Sequence, residues 1–471
     1  MALLIRKPAA AGKFYDSDPE KLRKAVRSYM RPAGGAKEKI LGVLVPHAGY
    51  VFSGATAGAA FASLKGADID TAVVIGTGHT EAVRGAAIMS GGFFETPLGR
   101  LEIDGDLARA LLAPPGPFKD LPSAHAGEHS VEVELPFLQE LGIKKFLPVT
   151  ANSSEIKVLE EAGRRLGAAL RGRKAVICVS SDLSHYPPAD LAERSDPALL
   201  LAYRTAFRNG DMAYFALANE LLLEKAAGKM DTAACGFAAM VLGAAACAEL
   251  GADDFRLLEY THSGKISGDA SGVVGYAAGL FTGGGERPAG ELDPKLKKEL
   301  LALARSSIES KLKKIPAPST ELLPAPELNQ PAAVFVTLNK GGALRGCIGT
   351  MTPRQLLADA VVYFAEAAAF SDTRFAPVSA GELRDIKMEI SVLSPLRRVE
   401  SWTAVEQGKH GVYVRKGRLS GTYLPQVWEH FGSREEFLTS LCLEKAGLPA
   451  GAWKEKSTEL FVYSVDSFEE K

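Results

Sequence analysis

Cysteine, tryptophan and net charge are all scarce in this 471-residue chain. Its 5 cysteines (178, 235, 247, 347 and 442) form no C-x-x-C pair, which argues against a disulfide scaffold and fits a reducing compartment. Basic and acidic residues number 55 and 56, leaving a net charge of −1. No whole-chain charge therefore favours nucleic acid or an anionic membrane, and no local basic patch stands out. The opening MALLIRKPAAAGKFY has charges at Arg6 and Lys7 but no apolar h-region behind them, so it does not read as a signal peptide. The best membrane candidate, Thr232 to Ala248, is short and mostly Ala and Gly, and reads as a buried helix. The expectation is a cytoplasmic protein with neither a membrane nor a nucleic-acid partner.

What is present is ordinary globular composition, 46% apolar and 24% charged, in a chain long enough for two or three domains. Thr282 to Gly290, TGGGERPAG, reads as a linker, and Asp293-Pro294 as an N-cap with proline opening a helix over 294–313. This sets a domain at 1–283, a linker at 284–294 and a second domain at 295–471. The front domain alternates short β-branched runs (Ile40–Val45, Thr71–Ile75, Ala175–Ser180) with helical patterns, the habit of an α/β fold with a mainly parallel sheet. In the second domain, Ala333–Leu338 and Ala343–Ile348 flank Asn339-Lys340-Gly341-Gly342, a hairpin signal, and a helix is expected over 353–370. Lys387–Leu393, Gly411–Arg415, Leu419–Leu424 and Leu460–Val465 are further strand candidates, predicting an α+β fold with a largely antiparallel sheet.

Each of the three front strands runs into a histidine-bearing loop: LGVLVPHAGY with His47, TAVVIGTGHT with His79, and AVICVSSDLSHY with Asp182 and His185. Ligand sites in open parallel sheets gather beyond the carboxyl ends of the strands, so these loops can converge. A fourth element, MDTAACG, offers Asp231 or Thr232 as N-cap and puts Cys235 in the first helical turn, where the dipole favours thiolate. Taken singly, each histidine reads more readily as a hydrogen-bonding or surface residue than as a ligand, and Cys235 as a small buried hydrophobe; their co-location at strand ends raises the joint case. The string His125-Ala126-Gly127-Glu128-His129 matches H-x-x-E-H, but Pro122 and Gly127 interrupt the helix that zinc ligation would need. Glu128 and His129 remain pocket residues or supports for the ligands. In LRGCIG, alternation puts Arg345 and Cys347 on one strand face and Leu344 and Ile348 on the other. A cation beside the thiol makes a reactive surface, and a structural cysteine on a half-buried strand is the equal alternative. Ser371 to Phe375 and Glu389-Ile390-Ser391 are further polar candidates.

Several strings, PHAGYVFSG, GTGH, GEHSVEVELPFL, SSDLSHY and DTAACG, resemble the Memo-like family, also called AmmeMemoRadiSam system protein B, over about 1–283. LRGCIGT, SDTRFAPV and MEISVLSP resemble the AMMECR domain family, the system's protein A, over about 295–471. The first resemblance implies a fold similar to class III non-haem iron extradiol dioxygenases. It implies His47, His79 and Cys235 as metal ligands, with His185 as general acid/base and Asp182 beside it. It also implies Fe(II) as the cofactor, with Zn or Cu as alternatives, an unknown small-molecule substrate, and a radical-SAM protein as candidate partner. Cysteine in place of the usual carboxylate is softer and shifts preference toward Zn(II), Cu(I) or thiolate-ligated iron. Three functions follow: a metal-dependent oxidoreductase, a zinc hydrolase at the same ligands, and a partner-binding scaffold with a vestigial pocket.

Overall fold

The computed structural model describes residues 4–31, 38–284 and 291–470. The chain divides into two compact units, one of Met1–Arg208 with Leu222–Glu286 and the other of Asn209–Leu221 with Arg287–Lys471. Of the expected linker 284–294, residues 285–290 lie outside the described ones. The segment 209–221, which sequence reading leaves in the front domain, groups with the second unit, where the Tyr214 hydroxyl donates to the Pro331 carbonyl at 3.1 Å.

In the first unit, Lys145–Ala151, Thr71–Thr77, Ala175–Ser180 and Ile40–Val45 lie side by side and all parallel. Gly275–Thr282 and Asp254–His262 extend the Ile40–Val45 side in antiparallel fashion. Parallel strands covered on both faces must be apolar throughout, and the β-branched runs meet that demand. The Thr71 strand runs two residues further than expected because Gly76 and Thr77 pair with Thr150 and Ala151. His47, His79 and Asp182 each sit two residues past the end of a strand. The strand leading to Asp182, Ala175–Ser180, lies between the two that lead to His47 and His79, so the three loops emerge at one edge.

The helix that follows Cys235 spans Phe237–Glu249 and is capped at Gly236, so Cys235 precedes the helix instead of lying in its first turn. Thr232 bridges to His185, Cys235 and Gly236 lie in a turn closed by the Phe237 amide on the Ala234 carbonyl, and the Gly236 amide donates to Ser181 Oγ at 2.9 Å. A Cβ on Gly236 would stand 2.5 Å from that of Ser181, so only glycine permits the approach. The helix packs its small residues against Ile156–Leu170, with Gly163 facing the Leu242 carbonyl. Among the described residues, no helix is long and apolar enough to cross a membrane.

The second unit carries two antiparallel sheets. The first orders Ala343–Gly349, Ala333–Lys340, Ile386–Leu393 and Val465–Glu469, and Pro294–Lys313 with Leu357–Phe370 builds its core. The second orders Arg397–Val399, Glu459–Tyr463, Gly411–Lys416 and Leu419–Tyr423. Gly341 and Gly342, at φ 60° and 83°, supply the two left-handed positions of the hairpin turn. The expected strand Leu460–Val465 is split in two between the sheets. The expected helix at 353 begins at Leu357, because Leu356 bridges to Pro331 and Gln355 accepts from the Ala332 amide.

The 181–186 loop is braced from below by buried Asp196, which accepts from Ser184 Oγ (3.1 Å), the Ser184 amide (3.3 Å) and Tyr260 (2.9 Å). Burial lifts its carboxyl to about 7, against the hydrogen bonds that oppose the shift. The folded protein therefore holds a proton that the unfolded chain releases near 3.8, and stability from this group falls as pH rises from about 4 to 7. Asp196→Asn is expected to flatten that decline in denaturant melts run across the window. In the helix pair, a Cβ at Gly163 would stand 2.3 Å from the Leu242 oxygen. Gly163→Leu should therefore destabilise by about 1–3 kcal/mol, exceeding a helix-propensity gain of under about 1 kcal/mol, read as a lower urea midpoint.

Candidate functional site

The site is built from loops at the carboxyl edge of the first unit's sheet. His47 is 2% exposed; its amide donates to Asp182 Oδ1 at 2.8 Å and its Nδ1 meets Ser180 Oγ at 2.9 Å. Its Nε2 lies 3.1 Å from Cys235 Sγ. His79 is held by one carboxylate at two points, Glu128 Oε2 on its amide (2.7 Å) and Oε1 on its Nδ1 (2.9 Å). The His79 side chain keeps 33% exposure, so the cluster opens to solvent on that side. Ligand atoms of His47, His79 and Cys235 all lie within 4.8 Å of one another. The structure thus brings together the three residues that the sequence resemblance named.

Electrostatics favour the neutral imidazole at His47, His129 and His185. Burial, reinforced by the neighbouring His129 and His79, pushes His47 well below its ordinary value, and burial also lowers His129 and His185. Burial alone would raise Glu128, but hydrogen bonds from the His79 ring and the Ser130 and His79 amides prevail and hold it near 2. An ionised Glu128 accepts the Nδ1 proton of His79 and leaves Nε2 as a lone-pair donor. Burial pushes the Cys235 thiol up, and the Asp182 charge adds to it. A bound cation reverses that balance, since it stabilises thiolate directly.

His185 lies on the Cys235 side, where Asp182, His185 and Cys235 form a second compact group. Its amide donates to the Thr232 carbonyl, its own carbonyl accepts from Asp231, and its buried Nε2 has no hydrogen-bond partner among the described residues. Asp182 accepts from the amides of His47 and Ala48, and burial raises it to about 7. On the opposite side His129 stacks on His79 with ring centres 4.8 Å apart, and Phe14 stacks on His129 at 4.4 Å. His125 and His129 sit on separate four-residue helices, Ser123–Ala126 and His129–Glu132, which agrees with setting the H-x-x-E-H reading aside.

Supporting residues that sequence reasoning passed over hold this arrangement. Ser180 Oγ lies 2.7 Å from the Ser130 carbonyl and 2.9 Å from Glu134 Oε1, which buries a carboxyl behind His47. Ser130 Oγ donates to the Thr77 carbonyl, and a Cβ on Gly76 would collide with it at 2.4 Å. Arg6 pairs with buried Glu132 and donates to the carbonyls of His125 and Glu128, clamping the loop that carries Glu128. The available signal was GEHSVEVELPFL itself, where Glu128, Glu132 and Glu134 interrupt an apolar run and all three are buried.

In the second unit the LRGCIG, SDTRF and MEIS strings gather around one sheet. Cys347 donates its amide to Asp372 Oδ2 (2.9 Å), and its Sγ accepts from Thr337 Oγ1 (3.2 Å). The Arg345 guanidinium, expected beside the thiol, is committed to Glu382 at 3.0 Å. Arg374 pairs with Asp372 at 2.7 Å and donates to the Cys347 carbonyl. Ile348 packs on the core, whereas Leu344, near the hairpin end, is 44% exposed. Glu389 pairs across from Thr337 on the adjacent strand.

Comparison with known proteins covers both units. The family model described as Memo-like protein matches residues 6–280, and that described as AMMECR1 matches 301–468. A MEMO1 family protein of Methanothermobacter thermautotrophicus is 35% identical over 286 residues, covering 58% of this chain and 99% of that relative. One from Aquifex aeolicus is 36% identical over 279 residues, covering 59% and 99%. A solved structure of an uncharacterized protein from Pyrococcus horikoshii shares 35% identity over 38% of this chain and 94% of its own, with a TM-score of 0.33. Because the match over 6–280 takes in more than half of its length, the chain belongs to the Memo-like protein family, with an AMMECR1 region following.

Proposed function

We propose that the first unit is a metal-dependent oxidoreductase, similar to class III non-haem iron extradiol dioxygenases, that holds one Fe(II) through His47, His79 and Cys235. The observation that carries this reading is the meeting of three donors, from segments far apart in sequence, within 4.8 Å of one another. Donors bound at about 2.0–2.3 Å to one tetrahedral ion stand about 3.5 Å apart, so this grouping is compact enough. Both histidines have Nδ1 engaged, by Ser180 and Glu128, which directs Nε2 to the ion.

Bound ferrous iron would supply Lewis acidity and one-electron chemistry with open positions for oxygen and an oxygen-bearing substrate. The chain's own residues do the rest. His185 holds or moves a proton at Nε2, which is free of other partners among the described residues. Asp182 fixes the His47 loop, and Glu128 fixes the tautomer and direction of His79. The AMMECR1 region supports placing the chain in an AmmeMemoRadiSam system, with a radical-SAM protein as partner.

One observation favours a second reading. The third donor is sulfur, while Asp182 and Glu128, the nearby carboxylates, are occupied by backbone amides and His79. Two histidines, a cysteine and water make a valid catalytic zinc set, which would lower the water pKa to about 7 for hydrolysis. Copper suits the same soft donor.

Protein purified without oxygen is expected to carry close to one metal ion per chain by elemental analysis. Oxygen uptake assigns it to the first reading, and activity that survives exclusion of oxygen assigns it to the second. Cys235→Ala should lose most of its metal, and full iron stoichiometry in that variant would refute the site. Glu128→Gln keeps all three donors but loses the charged acceptor behind His79. It should weaken metal affinity by about 10–100-fold in a competition titration.

A further inference from the structure

Of the three buried glutamates in GEHSVEVELPFL, two are surrounded by donors. Glu128 accepts from the His79 ring and from the His79 and Ser130 amides. Glu132 meets Arg6, Tyr15 and the amides of Ala9 and Ala10. Glu134 differs. Its side chain lies in a residue 1% exposed, and the described residues supply it with neither a cation nor an amide. Oε1 meets Ser180 Oγ at 2.9 Å, and buried Oε2 has no hydrogen-bond partner among the described residues. The ionisable groups that face it are Asp182, Tyr50 and Cys178, none of which carries a positive charge. A carboxylate here would be an uncompensated buried charge. Burial therefore pushes the carboxyl well above its ordinary range, Asp182 adding to the shift and the Ser180 contact opposing it.

The hydrogens available to Ser180 lead to the same state. Its hydroxyl has one hydrogen and two lone pairs. Three groups surround that oxygen: the Ser130 carbonyl at 2.7 Å, Glu134 Oε1 at 2.9 Å and His47 Nδ1 at 2.9 Å. The Ser130 carbonyl can only accept, so it takes the single hydrogen. Glu134 and His47 must then both donate, one as a carboxylic acid and the other through Nδ1–H. An ionised Glu134 would compete with the carbonyl for that hydrogen and leave one buried acceptor unpaired.

We propose that Glu134 is a positioning residue that works as a neutral acid, donating to Ser180 Oγ and so fixing the oxygen that receives the Nδ1 proton of His47. Its role for His47 as a ligand rests on the metal reading above; its charge state does not. The two histidines are then supported by glutamates of opposite character. A carboxylate acts directly on His79, and an acid acts on His47 through a hydroxyl.

The test starts from the metal-free full chain near neutral pH, by infrared difference spectroscopy against Glu134→Gln. The difference isolates Glu134 from Asp182 and Asp196, which are also raised. It is expected to contain one carboxylic-acid carbonyl band that shifts on deuteration; carboxylate bands in its place overturn the proposal. In a competition titration with zinc, Glu134→Gln keeps a donor and should hold the ion within about twofold of the parent, in contrast to the about 10–100-fold loss expected of Glu128→Gln. Glu134→Leu stays apolar but donates nothing, and should weaken zinc about three- to tenfold. A loss in Glu134→Gln as large as in Glu134→Leu, or full affinity in Glu134→Leu, overturns the proposal. A parent chain that binds neither zinc nor iron overturns the metal reading and the ligand role of His47, while the infrared band still decides whether Glu134 is an acid.

Discussion

Two hydrogen bonds decide what this molecule presents at its sheet edge. Ser180 holds His47 at Nδ1 and Glu128 holds His79 at Nδ1, which leaves both Nε2 atoms outside these bonds, that of His47 facing Cys235 Sγ. An imidazole without such a partner rotates and exchanges tautomers. With one, it becomes a directed donor. The remainder of the first unit can be read as the means of placing Ser180 and Glu128. Ser180 is the last residue of the strand lying between those that lead to His47 and His79. Glu128 hangs on a loop that Arg6 clamps through its buried pairing with Glu132.

Holding these groups requires burying many polar atoms, which is unfavourable unless each finds a partner. Glu132 meets Arg6, Tyr15 and two amides, and Asp182 meets the amides that follow the Ile40–Val45 strand. Asp196 meets Ser184 and Tyr260. A rigid polar floor of this kind preorganises the cluster before any ligand arrives. Glycine contributes where polar segments must touch backbone, at Gly76 against Ser130 and at Gly236 against Ser181.

The second unit follows a different logic. Its first sheet is antiparallel, and Gly346 presses on helix Leu357–Phe370, where a Cβ would stand 2.2 Å from the Ala368 carbonyl. Cys347, its neighbour, is bound through its amide to Asp372 and through sulfur to Thr337. The polar strings of that region thus fix one another, and Arg345, which alternation placed beside the thiol, pairs instead with Glu382. Strand alternation tells which face a side chain leaves from; it does not tell where a long guanidinium ends.

By itself the sequence determined the classes of structure and the loops that matter. β-branched runs of six or so residues dictate buried parallel strands, and Asn339 to Gly342 dictates a hairpin, because both are local consequences of side-chain shape and backbone freedom. Only the tertiary structure decided strand order, and with it which loops became neighbours, since that depends on pairing between residues distant along the chain. It also moved Cys235 out of the helix, through the Thr232 bridge and the Gly236–Ser181 contact, neither of which is a local event. The helical segment 209–221 joined the second unit for the same reason: which surface a helix covers is decided by packing, which acts between elements and leaves no mark in local periodicity.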